Sequence, residues 1–99
     1  MSISSQTTDN KLTISISGRF DFGIHKEFRS AIDSISHQTV HVFVDLRTTE
    51  YVDSSALGML LLLKNKMNDQ KDSISLINAK PEVKKILEIA NFGQLFTLN

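Results

Sequence analysis

Segments patterned as strands alternate along this chain with segments patterned as helices, and that order predicts an α/β fold. Three observations carry the prediction: a period-two run at Leu12–Ile16, a β-branched run at Val40–Leu46, and three stretches with apolar residues at helical spacing, beginning near Phe22, Ala56 and Pro81. The expected architecture is one two-layer domain over residues 1–99. It has a small mixed sheet of about four to five strands, with three or more helices packed mainly on one face.

Each element has its own local signal. Leu12, Ile14 and Ile16 alternate with Thr13, Ser15 and Ser17, as in a half-buried strand. Asp9-Asn10 is a turn signal before it, Ile3–Gln6 is a short candidate partner strand, and Gly18 ends the run. From Phe22 to Ser36 the period lengthens: Ile24, Phe28, Ala31, Ile32 and Ile35 line one helical face, and Asp21 stands where a cap belongs. Val40–Leu46 is the richest strand candidate. Ala56–Met67 reads as a helix, Asn68–Asp72 as a polar loop and Ser73–Ile77 as a strand. Pro81 opens a third helix, where its missing N–H costs nothing. Val83, Ile86, Leu87 and Ala90 form its stripe, Gly93 is its expected cap, and Phe96 and Leu98 mark a last short strand. The polar half of Leu12–Ile16 implies that the far face of the sheet is partly wet.

Composition narrows function. Eleven basic residues balance 11 acidic ones, and the pI is about 6.8. A nucleic-acid binder ordinarily shows a basic face and a high pI, so no nucleic acid is expected as partner. The absence of Cys removes disulfides, thiolate metal sites and cysteine nucleophiles. Met1–Asn10 has no apolar core of a signal peptide, and Ala56–Leu63 is far short of the roughly 20 residues a spanning helix needs. A soluble, cytoplasmic monomer without membrane contact is the expectation. His25, His37 and His41 fall in three different segments without a carboxylate cluster, so they read as surface or packing residues; no metal and no cofactor is expected.

The chemistry concentrates at Thr48–Gly58, between a buried strand and an apolar helix. Asp53, Ser54 and Ser55 are all good N-cap residues. A hydroxyl there lies where backbone N–H groups point outward, so a phosphate on it is compatible with the helix. The helix is apolar nearly all round at its start. Leu57, Leu60 and Leu61 are expected inside. For Met59 and Leu62 two readings stay open, burial or an exposed apolar patch for a partner. Gly58 is a poor helix former; it either lets another backbone approach or permits tight packing on the sheet.

Tyr51-Val52-Asp53-Ser54-Ser55-Ala56-Leu57-Gly58, after a strand ending Asp45-Leu46, resembles the signature of bacterial anti-anti-sigma factors of the STAS family. Gly18-Arg19-Phe20-Asp21 resembles the family's Gly-x-Leu-Asp, and Lys80-Pro81-Glu82-Val83 through Phe92-Gly93-Gln94-Leu95-Phe96 resembles its C-terminal helix and tail. The resemblance spans nearly the whole chain and implies a STAS-like fold with no catalytic activity of its own. It implies Ser54 as a phosphorylation site with Asp21 nearby, and Asp53 and Ser55 supporting it. The unphosphorylated form would bind an anti-sigma factor that is also a serine kinase. Phosphorylation would weaken that complex, and a PP2C-type phosphatase would reset it. Ala56, Gly58, Met59 and Leu62 are the expected partner-binding residues. Ala56 stands where the family usually has Gly, which bears on partner fit.

A phosphate adds about −1.5 to −2 charges. Two unit charges about 4 Å apart near a protein surface interact by about 4 kcal/mol, and half of that still exceeds the roughly 1.4 kcal/mol of a tenfold affinity change. With Asp53 adjacent and Asp21 near, a partner could be lost without any change of fold. Rival readings are a constitutive adaptor whose Ser54 is never modified, a domain binding a nucleotide or lipid, and a regulator of a non-sigma partner such as a diguanylate cyclase. A Ser–His–Asp hydrolase is disfavoured, because no Gly-x-Ser-x-Gly elbow is present. The lysines of the C-terminal half, such as Lys64, Lys66, Lys71, Lys80, Lys84 and Lys85, read as solvated helix faces.

Overall fold

In the computed structural model, which describes residues 3–36, 38–67 and 73–98, the chain begins as a hairpin. Strand β1 (Ile3–Thr8) runs antiparallel to β2 (Lys11–Ile16), with Thr8 opposite Lys11. The two residues between them, Asp9 and Asn10, have φ of 52° and 66°. Two successive positive values define the tight turn whose twist matches flanking strands, and Asp and Asn tolerate it best after Gly. Next come β3 (Gly18–Phe20), a 3-10 turn at Phe22–Ile24, and helix α1 (His25–Asp33). The chain continues through β4 (His41–Asp45), β5 (Thr49–Val52), α2 (Ser54–Lys66), β6 (Ile74–Ile77), α3 (Pro81–Ile89), a second 3-10 turn at Phe92–Gln94, and β7 (Thr97–Leu98).

The main sheet has five strands in the order β1-β2-β4-β6-β7. Only β1 is antiparallel; β2–β4, β4–β6 and β6–β7 pair in parallel. Leu12, Ile14 and Ile16 on β2, Val42 and Val44 on β4, and Ile74 and Leu76 on β6 form its buried face. Against them pack Phe28, Ala31 and Ile32 of α1, Met59, Leu60 and Leu63 of α2, and Val83 and Leu87 of α3. The alternate residues Thr13, Ser15, His41, Phe43 and Asp45 are half-buried on the other face, where His41 Nε2 and Ser75 Oγ share a 2.8 Å hydrogen bond. This is the mixed α/β sheet with three helices that the sequence predicts.

Three local expectations change. The segment expected to be one helix from Phe22 is a 3-10 turn followed by α1, because Asp21 caps the turn and not the helix. Helix α3 does not end on Gly93; Asn91, at φ 64°, takes the left-handed position after Ala90. The loop expected at Asn68–Asp72 and His37 lie outside the described residues. Finally, β3 and β5 form a separate two-stranded parallel ribbon that no sequence pattern announced.

Candidate functional site

The β3–β5 ribbon builds the site. Gly18, at φ 80°, turns the chain out of β2; a side chain would be strained there whatever the space around it. Its N–H donates to Thr48 O at 2.9 Å. The buried Thr49 hydroxyl donates to Ile16 O at 2.7 Å, and that of Thr48 to the same oxygen at 3.3 Å. These bonds pin the start of the ribbon to the end of β2. Between Gly18 and Arg19 the register shifts, so Gly18 pairs with Thr49 but Arg19 with Tyr51. The bulge leaves both Glu50 and Tyr51 on the outside. Phe20 and Val52 then pair and point into the core, where the Phe20 ring lies 5.4 Å from that of Phe28.

One residue beyond Phe20 and Val52 come Asp21 and Asp53. Neighbouring strands lie about 4.8 Å apart, so the two aspartates leave the ribbon side by side. Their backbones nearly coincide in conformation: φ −137°, ψ −171° for Asp21 and φ −125°, ψ −172° for Asp53. Each carboxylate caps the element after it. Asp21 Oδ1 accepts from Gly23 N at 2.8 Å, and Asp53 Oδ1 accepts from Ala56 N at 3.0 Å. A Cβ on Gly23 would stand 3.0 Å from Asp21 Oδ1, so the cap needs a glycine or a shifted carboxylate there.

Ser54 opens α2 and is exposed, while Ser55 beside it is half-buried. The structure thus brings Asp21, Asp53, Ser54 and Ser55 to one end of the ribbon. It does not do so for every expected docking residue. Ala56 and Met59 are sealed in the core, because α2 presents this side to the sheet; neither side chain offers a surface. Leu61, expected inside, is 44% exposed, and Leu62 is 41% exposed; Leu57 is half-buried. Gly58 is exposed, and a Cβ on it would meet nothing within 4 Å, so tight packing on the sheet does not explain it.

Two residues that sequence reading passed over complete the site. Arg19 Nε donates to Asp21 Oδ2 at 3.1 Å, and the same guanidinium lies 4.3 Å from the centroid of the Tyr51 ring. The Arg19 guanidinium, and after it the Gly23 N–H, hold the Asp21 carboxyl below its ordinary value. Asp21 is therefore a paired charge. Period two was the available signal: in a strand, residues two apart share a face, which joins Arg19 to Asp21 and Tyr51 to Asp53. Next to them Phe22, 67% exposed, stacks on His25 at 4.8 Å. Among the described residues, no cluster of three His, Cys, Asp or Glu side chains is arranged to hold a metal, and no helix is long and apolar enough to cross a membrane.

Comparison with known proteins places the fold. The family model described as "Mlab, STAS domain" matches residues 3–98, so the chain belongs to the STAS domain family. A STAS-domain-containing protein of Pseudomonas aeruginosa strain UCBPP-PA14 is 52% identical over 89 residues, covering 90% of this chain and 88% of that one. Among solved structures, the anti-sigma factor antagonist SpoIIAA in its unphosphorylated form superposes with a TM-score of 0.70 at 17% identity, over 88% of this chain and 82% of that one. The phosphorylated form of SpoIIAA from Bacillus gives 0.67 at 17%, over 98% and 90%. A chain of the Acinetobacter MlaFEDB complex, ATP-bound, gives 0.69 at 23%, over 95% and 98%. The fold is the SpoIIAA-like STAS fold.

Proposed function

We propose that this STAS domain is a protein-binding switch of the anti-sigma factor antagonist kind, set by a phosphate on Ser54. The carrying observation is the position of that residue: exposed, first in α2, and directly after the capping Asp53 at the ribbon end where Asp21 also emerges. The resident cap is Asp53 and not Ser54, so modification leaves the helix start intact. In this reading the unphosphorylated form binds an anti-sigma factor with serine-kinase activity in the cytoplasm, and a PP2C-type phosphatase restores it. The docking face is Gly58, Leu61 and Leu62 with the loop before α2, in place of the buried Ala56 and Met59. The test is a phosphosite map of the protein isolated from its own cells. Phosphate on Ser54, lost in Ser54→Ala, is expected; modification elsewhere with Ser54 bare in every growth condition overturns the assignment.

Two similarities favour a second reading. The matching family model and the similarity to a chain of the MlaFEDB complex suit a constitutive subunit of a larger assembly, with a partner other than an anti-sigma factor. Wild type, Ser54→Ala and Ser54→Asp would then behave alike in cells, whereas the switch requires Ser54→Asp to lose its partner while keeping its fold.

A further inference from the structure

The geometry points to Arg19 as the residue that receives the phosphate when Ser54 is modified, its guanidinium bridging the phosphoserine and Asp21. This rests on the phosphoswitch reading of Ser54. Arg19 is the one basic residue of β3 and β5, and it sits on their outer face with Asp21 and Tyr51. Its Nε is committed to Asp21, but a guanidinium carries five donors in a planar fork, so its terminal nitrogens remain to bond a second anion. The Tyr51 ring under it fixes the plane of that fork before any phosphate arrives. Asp21 and Asp53 each follow directly on the paired residues Phe20 and Val52, and Ser54 is the residue after Asp53. A dianion on Ser54 therefore enters a place beside the carboxylates of Asp21 and Asp53 and the preoriented Arg19 guanidinium. Without that cation the phosphate would meet two unneutralised carboxylates; with it, the phosphate and Asp21 share one positive centre. Arg19 then sets how much of the new charge a partner sees, which makes it a positioning residue for the modified state.

The test places phosphoserine at position 54 during synthesis of the full chain, which bypasses any kinase. A 31P NMR titration then reads the second ionisation of the phosphate. A neighbouring cation favours the dianion, so this ionisation is expected about 0.3–0.7 pH unit lower in wild type than in Arg19→Gln. Arg19→Lys, which keeps the charge without the fork, is expected between the two. Arg19 is 66% exposed, so neither change disturbs the core. Coincident curves for all three proteins overturn the assignment. That failure is separate from failure of the switch itself, which is read from whether cells phosphorylate Ser54 at all.

Discussion

Two strand-to-helix junctions lie side by side in this molecule and share one design. Each leaves the β3–β5 ribbon after a buried apolar residue, Phe20 or Val52, and each continues with an aspartate in the same extended conformation whose Oδ1 caps the next element. They differ in what the cap holds. Asp53 caps a 13-residue helix, whereas Asp21 caps a three-residue turn and gives its second oxygen to Arg19. The same residue type thus does mainly structural work at one junction and splits its work at the other. An aspartate beside the serine proposed as the phosphosite is therefore not simply a negative charge; its effect depends on which cation already holds it.

The comparison can be broken first at its anchors. Phe20→Ala deletes a fully buried ring and is expected to cost about 3–5 kcal/mol in urea denaturation, with Val52→Ala costing less. A negligible loss for Phe20→Ala would mean that the ribbon is not fastened to the core. Next come the caps. Asp53→Ala should cost about 1 kcal/mol. Asp21→Ala should cost less, because only a single turn depends on it; equal losses would erase the distinction between the junctions. Beyond the second junction, Leu61→Ser and Leu62→Ser should leave stability within about 0.5 kcal/mol, since both side chains lie at the surface outside the buried core. A loss comparable with the buried ring's would show that these residues are covered.

The smallest effect is electrostatic. The Asp21 carboxyl is held below its ordinary value of 3.8, so its pairing is fully present above that pH and fades as pH falls through the lower folded value. Followed by NMR, Asp21 should titrate below 3.8 in wild type and move up in Arg19→Gln. A wild-type midpoint at or above 3.8 would show that Arg19 does not hold it.

Much of this was legible in the chain itself. Alternation at Leu12–Ile16, the β-branched run before Asp45, the helical stripes of α1 and α3 and the Asp9-Asn10 turn are local signals, because periodicity and turn chemistry act between residues a few positions apart. The Asp-Ser-Ser block is local as well, so Asp53, Ser54 and Ser55 could be named from it. Tertiary structure decided the rest. Helix α2 carries almost no amphipathic contrast in its first turns, so only packing could send Met59 inward and leave Leu61 and Leu62 outside. The β3–β5 ribbon is three and four residues long, bulged, and joins positions about thirty apart, which leaves no period to read. Its parallel pairing is what sets Asp21 beside Asp53 and lays Arg19 over Tyr51. Proximity between distant residues comes from burial of Phe20 and Val52 in one core, and no local propensity encodes that.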